Sequence, residues 1–399
     1  MDLNFNLKPE DKLLLYCARL NINRQTEENI RYITQQNLDW NYLMKIASKN
    51  RLKSSLYFQI KDINIKEVPQ NILEDLEKNY QFNVKKNLLF LSELVKILKI
   101  LEKNGYIIIP YKGPVLTLMI YENLALREFD DLDLYISLRD FCSVKCILEK
   151  NGYESTLNLN DSQQTAYFKF QREFMFLNKS NGVPIEIKWK LPTMSLTLNN
   201  DPKFLFSLEE SIDIELGHFI FKTLSPSNLF LILVIHNAGH FWQRLSWLYD
   251  LSELIKNHRI NWVKIIKNSE KLGINRILYI NLYLIKELFE VDLPPNILKL
   301  IKSDKNVPKI CEKIVSLLFQ EHESQYGENA FSLKFFEMIF LKIKIRECTQ
   351  NKIKDILMLM FAPTREIIAN NSFHFFSFPM YYIFRFRDII QKYFIDSIK

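Results

Sequence analysis

Glycine, proline and cysteine are scarce in this sequence. Its 399 residues include 8 glycines, 13 prolines and 5 cysteines. So few turn-forming residues favour a helix-rich fold. The cysteines are odd in number and scattered, and the closest pair, Cys142 and Cys146, lacks the second pair that would complete a zinc site. We therefore expect reduced structural thiols in a cytoplasmic protein.

A long apolar run and a strong net charge are also missing. The longest apolar stretch, Leu229 to Ile235, is far shorter than the roughly 20 residues that cross a bilayer. The first five residues lack a basic and apolar leader. The formal charge of +7 is modest for this length, which makes nucleic acid a less favoured partner. These features predict a soluble protein without a membrane partner.

Apolar periodicity divides the chain into helical regions and a small α/β unit. Apolar residues recur at helical spacing near both ends, whereas β-branched runs occur between them. We predict an α+β, mainly helical fold. Its regions would be an N-terminal helical region (1–85), an α/β core (86–200), a helical domain (201–300) and a C-terminal helical region (301–399).

Several segments of the predicted core have the β-branched content or alternation of strands. We predict strands at 106–110, 132–136 and 183–189, and a hairpin formed by 168–170 and 174–177. In the strand at 183–189, Glu186 and Lys188 would share the face opposite the apolar residues.

Two aspartates in an apolar segment are the strongest sign of function. Asp131 and Asp133 are two residues apart, so in a strand both side chains project from one face. Burying two like charges is costly unless a divalent cation lies between them. The pair therefore predicts a site for Mg²⁺ or Mn²⁺ and, with it, phosphate chemistry. Taken alone, Asp-x-Asp also occurs often by chance at solvated strand ends.

Nucleotide transfer to a hydroxyl requires such a pair together with a third acidic group. Asp131 and Asp133 could hold the metal that grips a triphosphate, and Glu186 could help to hold a second metal or act as a base. As an alternative, Glu186 and Lys188 could form an ion pair on an exposed strand face.

Basic residues that could contact phosphates lie near the aspartates in sequence. Lys112 precedes the turn residues Gly113 and Pro114, and Arg127 precedes the aspartate pair. The alternative is that Lys112-Gly113-Pro114 is an ordinary turn ahead of a helix.

The order of these residues resembles the signature of the uncharacterised nucleotidyltransferase family in the polymerase-β-like superfamily. The family pattern Lys-Gly-x-x-Leu, a tyrosine, an arginine and Asp-Ile-Asp-Leu is similar to the segment from Lys112 to Leu134. Its Ile-Asp-Leu-His-Trp strand is similar to residues 185–189, and its helical signature to residues 224–250. The resemblance covers roughly residues 10–300.

This resemblance implies a polymerase-β-like nucleotidyltransferase core, a small mixed sheet with helices, flanked by helical regions. It implies metal-dependent transfer of a nucleoside monophosphate from an NTP, with ATP as the expected nucleotide, and release of pyrophosphate. The acceptor is open between a small molecule, a peptide and a protein. The implied catalytic and metal-binding residues are Asp131, Asp133 and Glu186, and the implied nucleotide-binding residues are Lys112, Gly113, Arg127 and Lys188.

Two departures from the family pattern matter for the chemistry. Glu186 stands where the family has aspartate, and Lys188 stands where it has histidine. The first change moves a carboxylate by about a bond length, and the second replaces a titratable base with a permanent charge. These changes motivate an alternative function, that of a catalytically impaired nucleotide-sensing or partner-binding protein with the same fold.

Two further groups of residues have open interpretations. His236 and His240 share a helix face. The glutamate that would follow His236 in a zinc protease motif is Asn237 here, so we favour a cleft lining that includes Arg244, or an interior network. The aromatic and basic segment at 373–387 is typical of a packed helix, with a nucleic-acid or partner surface as the alternative.

Overall fold

The protein is mainly helical, with a five-stranded mixed sheet between its helical parts. The computed structural model describes residues 5–121, 123–191, 196–320 and 339–370, together with 380, 382–384 and 387. The segment at 373–387 therefore lies mostly outside the described residues. In the described ranges, no helix combines the length and apolar character needed to cross a membrane.

Helices precede the sheet, connect its strands and follow it. The helices are α1 (Pro9–Cys17), α2 (Arg24–Thr34), α3 (Trp40–Lys49), α4 (Lys53–Ile63), α5 (Gln70–Lys103), α6 (Pro114–Ile120), α7 (Phe141–Lys150), α8 (Asp161–Phe170), α9 (Pro226–Gly239), α10 (Leu245–Asn257), α11 (Trp262–Leu272), α12 (Asn275–Phe289), α13 (Pro295–Ser303) and α14 (Val307–Phe319), with further helices at Thr349–Phe361 and Arg365–Asn370. The strands are β1 (Ile109–Pro110), β2 (Leu132–Tyr135), β3 (Tyr153–Ser155), β4 (Glu173–Asn178), β5 (Pro184–Lys188), β6 (Ile212–Leu216) and β7 (Phe219–Thr223).

The sheet has one parallel pair in its middle. Its strand order is β1-β2-β5-β4-β3, with β2 parallel to β5 and the other neighbours antiparallel. β6 and β7 form a separate hairpin. The mainly helical architecture with a small mixed sheet confirms this part of the predicted fold class.

The predicted hairpin in the core is wrong in its first half. Residues 168–170 belong to α8, which begins at a capping box in which the side chains of Asn160 and Gln163 each accept a hydrogen bond from the other residue's backbone N–H. This local start signal extends the helix through Phe170. The second half is a strand, β4, and it pairs with β5 instead.

A second hairpin interrupts the region that we predicted to be helical from residue 201. β6 and β7 alternate half-buried or buried side chains with exposed ones, the two-residue period of strands. Gly217 occupies the turn between them at a positive φ of 59°. The helices α9 to α13 then follow as the helical period predicts.

Helix α9 is buried along most of its length. Its residues 229–235 are all buried, so the longest apolar run of the sequence is a core helix. The buried apolar side chains of the N-terminal helices, the sheet and the later helices join in one cluster. The domain limits predicted from the sequence stay a prediction.

A buried ion pair ties the last described helices to the rest of the structure. Arg346 Nε donates to Asp355 Oδ2 over 2.7 Å, and both side chains are only 1% exposed. Asp355 also accepts hydrogen bonds from the backbone N–H and hydroxyl of Thr197, and Arg346 donates to the Gly273 carbonyl. The pair therefore joins segments that are distant in sequence.

Replacing Asp355 by asparagine should destabilise the protein strongly. The change leaves the buried Arg346 guanidinium without its counter-charge, and breaking such a pair costs about 3–5 kcal/mol. Urea unfolding measures the free energy of unfolding. The control is Asp213→Asn, because Asp213 pairs with Lys222 at the surface, where side chains are 56% and 48% exposed and loss costs about 1 kcal/mol or less. Equal effects of the two changes would contradict the buried pair.

Candidate functional site

The parallel pairing of β2 with β5 brings the three predicted carboxylates together. Asp133 lies directly opposite Glu186 in the register. Asp131 precedes Asp133 by two residues and projects to the same side. One carboxylate oxygen from each residue lies within 4.8 Å of those of the other two. We call Asp131, Asp133 and Glu186 the acidic trio.

Lys188 lies between two members of the acidic trio. Its Nζ is 2.9 Å from Asp133 Oδ1 and 2.5 Å from Glu186 Oε2. The Lys188 side chain is only 4% exposed. The ion pair of Glu186 with Lys188, one of the alternatives from the sequence, is thus present. The strand face that carries it is buried, so the exposed face of that alternative is wrong.

Glu173 is a fourth carboxylate of the site, and the sequence analysis does not identify it. It begins β4 and lies opposite Lys188 in the antiparallel register. Its Oε2 accepts a hydrogen bond from Lys188 Nζ over 2.7 Å, while its Oε1 is 3.7 Å from Arg365. The alternation in β4 indicates a strand, but only the pairing with β5 places Glu173 beside Lys188.

Lys112 borders the acidic trio on another side. Its Nζ lies 4.0 Å from Asp133 Oδ2 and donates to Nδ1 of His236 over 3.0 Å. The Lys112 side chain is buried, and burial lowers its pKa while Asp133 opposes that shift. An imidazole that accepts from Lys112 must be neutral at that nitrogen, so His236 orients the ammonium without adding charge.

The other predicted cleft residues pack around a tryptophan. The rings of His236 and His240 are 4.4 Å apart, and the Trp247 ring contacts both. The Arg244 guanidinium lies over Trp247, 5.2 Å from the ring centroid. Burial and then Lys112 hold the pKa of His236 well below its usual range and lower that of His240 to about 4. Among the described residues, no third metal ligand joins the two imidazoles.

Arg127 is held by a partner that the sequence analysis does not assign to it. Its Nε lies 3.1 Å from both carboxylate oxygens of Asp250 on α10. Asp250 Oδ1 also accepts from the Tyr121 hydroxyl over 2.9 Å. One Arg127 nitrogen reaches the Gly113 carbonyl at 3.5 Å. Arg127 therefore links α10 to the loop that carries Lys112.

Gly113 permits a close approach between that loop and the acidic segment. Its φ is +55°, in the left-handed region that favours glycine. A Cβ at this position would lie 3.0 Å from the backbone oxygen of Asp131. Because Gly113 has no Cβ, the loop that carries Lys112 can lie against the backbone of Asp131.

The electrostatics of the trio are asymmetric. Burial raises the pKa of Asp131, and repulsion from Asp133 and Glu186 adds to this, giving a value of about 7. Burial alone would also raise the pKa of Asp133, but Lys112 and Lys188 outweigh it and lower that pKa. Asp133 is therefore compensated by cationic side chains, whereas Asp131 makes no ion pair with any described residue.

The acidic trio fits a divalent cation such as Mg²⁺ or Mn²⁺. Both ions prefer carboxylate oxygens. In the described part of the chain, the trio is the only group of three or more His, Cys, Asp or Glu side chains whose possible ligand atoms lie this close together. Burial and then repulsion from Asp133 and Glu186 raise the pKa of Asp131, and a nearby positive charge would lower it.

Comparison with known proteins supports the resemblance drawn from the sequence. The model of a family described as uncharacterised nucleotidyltransferase matches residues 36–290, a span that includes the acidic trio, Lys188 and the basic side chains around Lys112. No curated protein and no solved structure matches the chain. The roles of the individual site residues stay predictions.

Changing Gly113 to alanine should destabilise the protein and disturb the acidic trio. The new Cβ would press against the Asp131 carbonyl, and the alanine backbone would have to keep a positive φ. We therefore expect a loss of about 2–4 kcal/mol in the free energy of unfolding. Gly182→Ala is the matched control. It has a φ of +72° but open space around its Cβ position, so only the conformational cost of about 1–2 kcal/mol applies. Urea unfolding of both variants tests this, and equal losses would show that the contact is unimportant.

Changing Asp131 to asparagine should stabilise the metal-free protein, and increasingly so as the pH rises. The Asp131 pKa is raised from 3.8 to about 7 in the folded state. Its contribution to stability is therefore present at low pH and is lost as the pH rises through about 7. The difference in melting temperature between the variant and the parent protein, both in chelator, should grow from pH 5 to pH 8.

The neighbouring Asp130 provides a control of opposite sign. It pairs with Arg51 and Lys86, and these cations overcome the effect of burial and lower its pKa. Its contribution is present above its unfolded pKa, so Asp130→Asn should lower the melting temperature across the same pH range. An Asp131→Asn variant with the same pH profile as the parent would contradict the raised pKa.

Proposed function

The chain belongs to the uncharacterised nucleotidyltransferase family, and we propose that it transfers a nucleoside monophosphate from an NTP to an acceptor. The reaction would require Mg²⁺ or Mn²⁺ and would release pyrophosphate, with ATP as the expected nucleotide. The observation that carries this proposal is the acidic trio, whose ligand oxygens lie within 4.8 Å of one another inside the matched region. We further propose that its sheet is a polymerase-β-like core.

The acidic trio would hold the metal ion. Asp131 and Asp133 project from one face of the β2 segment, and Glu186 of β5 completes the group. When bound, the ion would neutralise charge on the triphosphate and on the departing pyrophosphate. The parallel pairing of β2 with β5 fixes the spacing of the ligands before any substrate arrives, which is the preorganisation that such a site needs.

Lys112 is the cation that we assign to the phosphates. It lies at the edge of the trio, 4.0 Å from Asp133, and the neutral His236 holds its ammonium in place. We propose a positioning role for Arg127, because Asp250 engages its Nε and another of its nitrogens donates to the Gly113 carbonyl. Gly113 would act through its backbone by keeping Lys112 close to the trio.

A second candidate function is nucleotide sensing or partner binding without catalysis. The observation that favours it is the position of Lys188, which contacts Asp133 and Glu186 directly. If this ammonium prevents the productive placement of the metal ion, the protein would bind an NTP without transferring its nucleotidyl group.

Transfer activity should depend on the acidic trio. We expect incubation with α-labelled ATP and Mg²⁺ or Mn²⁺, with and without cell extract, to release pyrophosphate and label an acceptor. Asp131→Asn and Asp133→Asn should each reduce the rate by about a hundredfold or more, because each removes a charge that the metal ion needs. Parallel reactions with the other three labelled NTPs test the preference for ATP.

Asp130→Asn is the matched control for this experiment. Asp130 is adjacent in sequence, but its side chain is 59% exposed and pairs with Arg51 and Lys86 away from the trio. Its replacement should leave the rate unchanged. Full activity in the Asp131 and Asp133 variants would overturn the assigned roles. Calorimetric binding of an NTP with Mg²⁺, without pyrophosphate release for any NTP or extract, would favour the sensor.

A further inference from the structure

The carboxylates of the site are compensated unevenly. Lys188 Nζ lies within 2.9 Å of oxygens from Asp133, Glu186 and Glu173. Asp131, at the other end of the trio, makes no ion pair with a described residue. Asp133 therefore has a lysine ammonium within ion-pair distance of each of its oxygens, whereas Asp131 has none within that distance among the described residues.

Lys188 is fixed in this position by the sheet. Its neighbours Ile187 and Trp189 are buried on the opposite face of the strand. Glu173 lies directly across the β4–β5 pairing and binds the same ammonium at 2.7 Å. The side chain is 4% exposed, so there is little solvent into which the ammonium could withdraw. A cation placed between Asp133 Oδ1 and Glu186 Oε2, the two oxygens that face Lys188, would meet the ammonium at contact distance and be repelled.

From this asymmetry we propose that the site binds a single divalent cation, next to Asp131 and Asp133, and that Lys188 takes the place of a second one. The inference rests on the proposed function, because it assumes that the acidic trio holds a metal ion. In this proposal the two carboxylate oxygens of Glu186 have different partners. Its Oε2 holds the Lys188 ammonium, and its Oε1 is the atom left for the bound ion.

In this proposal, Lys188 determines how many metal ions bind. Asp133 likewise offers one oxygen to Lys188 and has its other oxygen, Oδ2, on the side of Lys112. Removing the Lys188 charge would leave the facing oxygens of Asp133, Glu186 and Glu173 without a cation. Three carboxylates around one point are an oxygen ligand set that attracts Mn²⁺ or Mg²⁺.

The test is a count of Mn²⁺ ions bound by the full chain. The chelator-treated protein is titrated with Mn²⁺ without nucleotide, and the electron paramagnetic resonance signal of free Mn²⁺ gives the bound fraction. The Asp131→Asn/Asp133→Asn double variant measures binding to other carboxylates, and its count is subtracted. We expect one Mn²⁺ for the parent protein and two for Lys188→Met, which keeps a long side chain but removes the charge.

Two lysine variants serve as controls. Lys188→Arg keeps the positive charge and should keep the count at one. Lys190→Met removes a lysine of the same segment whose Nζ donates to the Phe168 carbonyl, away from the trio, and should also give one. In Lys188→Met, the spectrum should show the dipolar broadening of two neighbouring Mn²⁺ ions, a signal that a purely structural role of Lys188 would not produce.

The outcomes separate this inference from the proposed function. No Mn²⁺ bound above the double-variant reference would overturn the metal-dependent function itself. One ion in the parent protein and any count other than two in folded Lys188→Met would overturn only the role of Lys188. Two ions in the parent protein would overturn it as well, even if Lys188→Met fails to fold. If Lys188→Met does not fold, Lys188→Gln replaces it as the neutral variant. Circular dichroism checks that it is folded, and it should bind two Mn²⁺ ions.

Discussion

Repulsion between buried carboxylates is the constraint on which this site depends. The β2–β5 register sets Asp133 beside Glu186, and β4 adds Glu173 across from Lys188. Groups of this kind are costly to bury together unless cations lie among them. Lys188 supplies one such charge from within the same sheet, at 2.5 to 2.9 Å from three carboxylates. Among the described residues Asp131 makes no ion pair, and burial together with repulsion from Asp133 and Glu186 raises its pKa.

The surroundings of the trio hold a second set of charges in a fixed arrangement. Asp250 on α10 binds Arg127, which reaches back to the carbonyl of Gly113. The left-handed backbone at Gly113 lets the loop that carries Lys112 lie against the acidic segment. The helices that follow the sheet thus position the basic side of the site, and the sheet positions the acidic side. The family match over residues 36–290 includes both parts.

The sequence predicts local features of this structure better than pairings between distant segments. The two-residue spacing of Asp131 and Asp133 is enough to place both carboxylates on one side of the β2 segment. Glu173 is missed because its importance depends on the β4–β5 register, which no local pattern contains. The hairpin error has a different origin, since a local signal, the capping box of α8, outweighs the alternating pattern at 168–170. Asp250 becomes a partner of Arg127 only after the chain has folded over more than a hundred residues.

The two departures from the family pattern form one physical unit. Glu186 Oε2 and Lys188 Nζ are in direct contact at 2.5 Å, so the longer acid and the substituted lysine meet each other. An aspartate at 186 would end about one bond shorter and would hold this ammonium less closely, and a histidine at 188 would carry no permanent charge. The ammonium does not depend on Glu186 alone, because Asp133 and Glu173 also contact it at 2.9 and 2.7 Å. Because the two substituted side chains form one ion pair beside Asp133, a change at either position alters the charge that faces the trio.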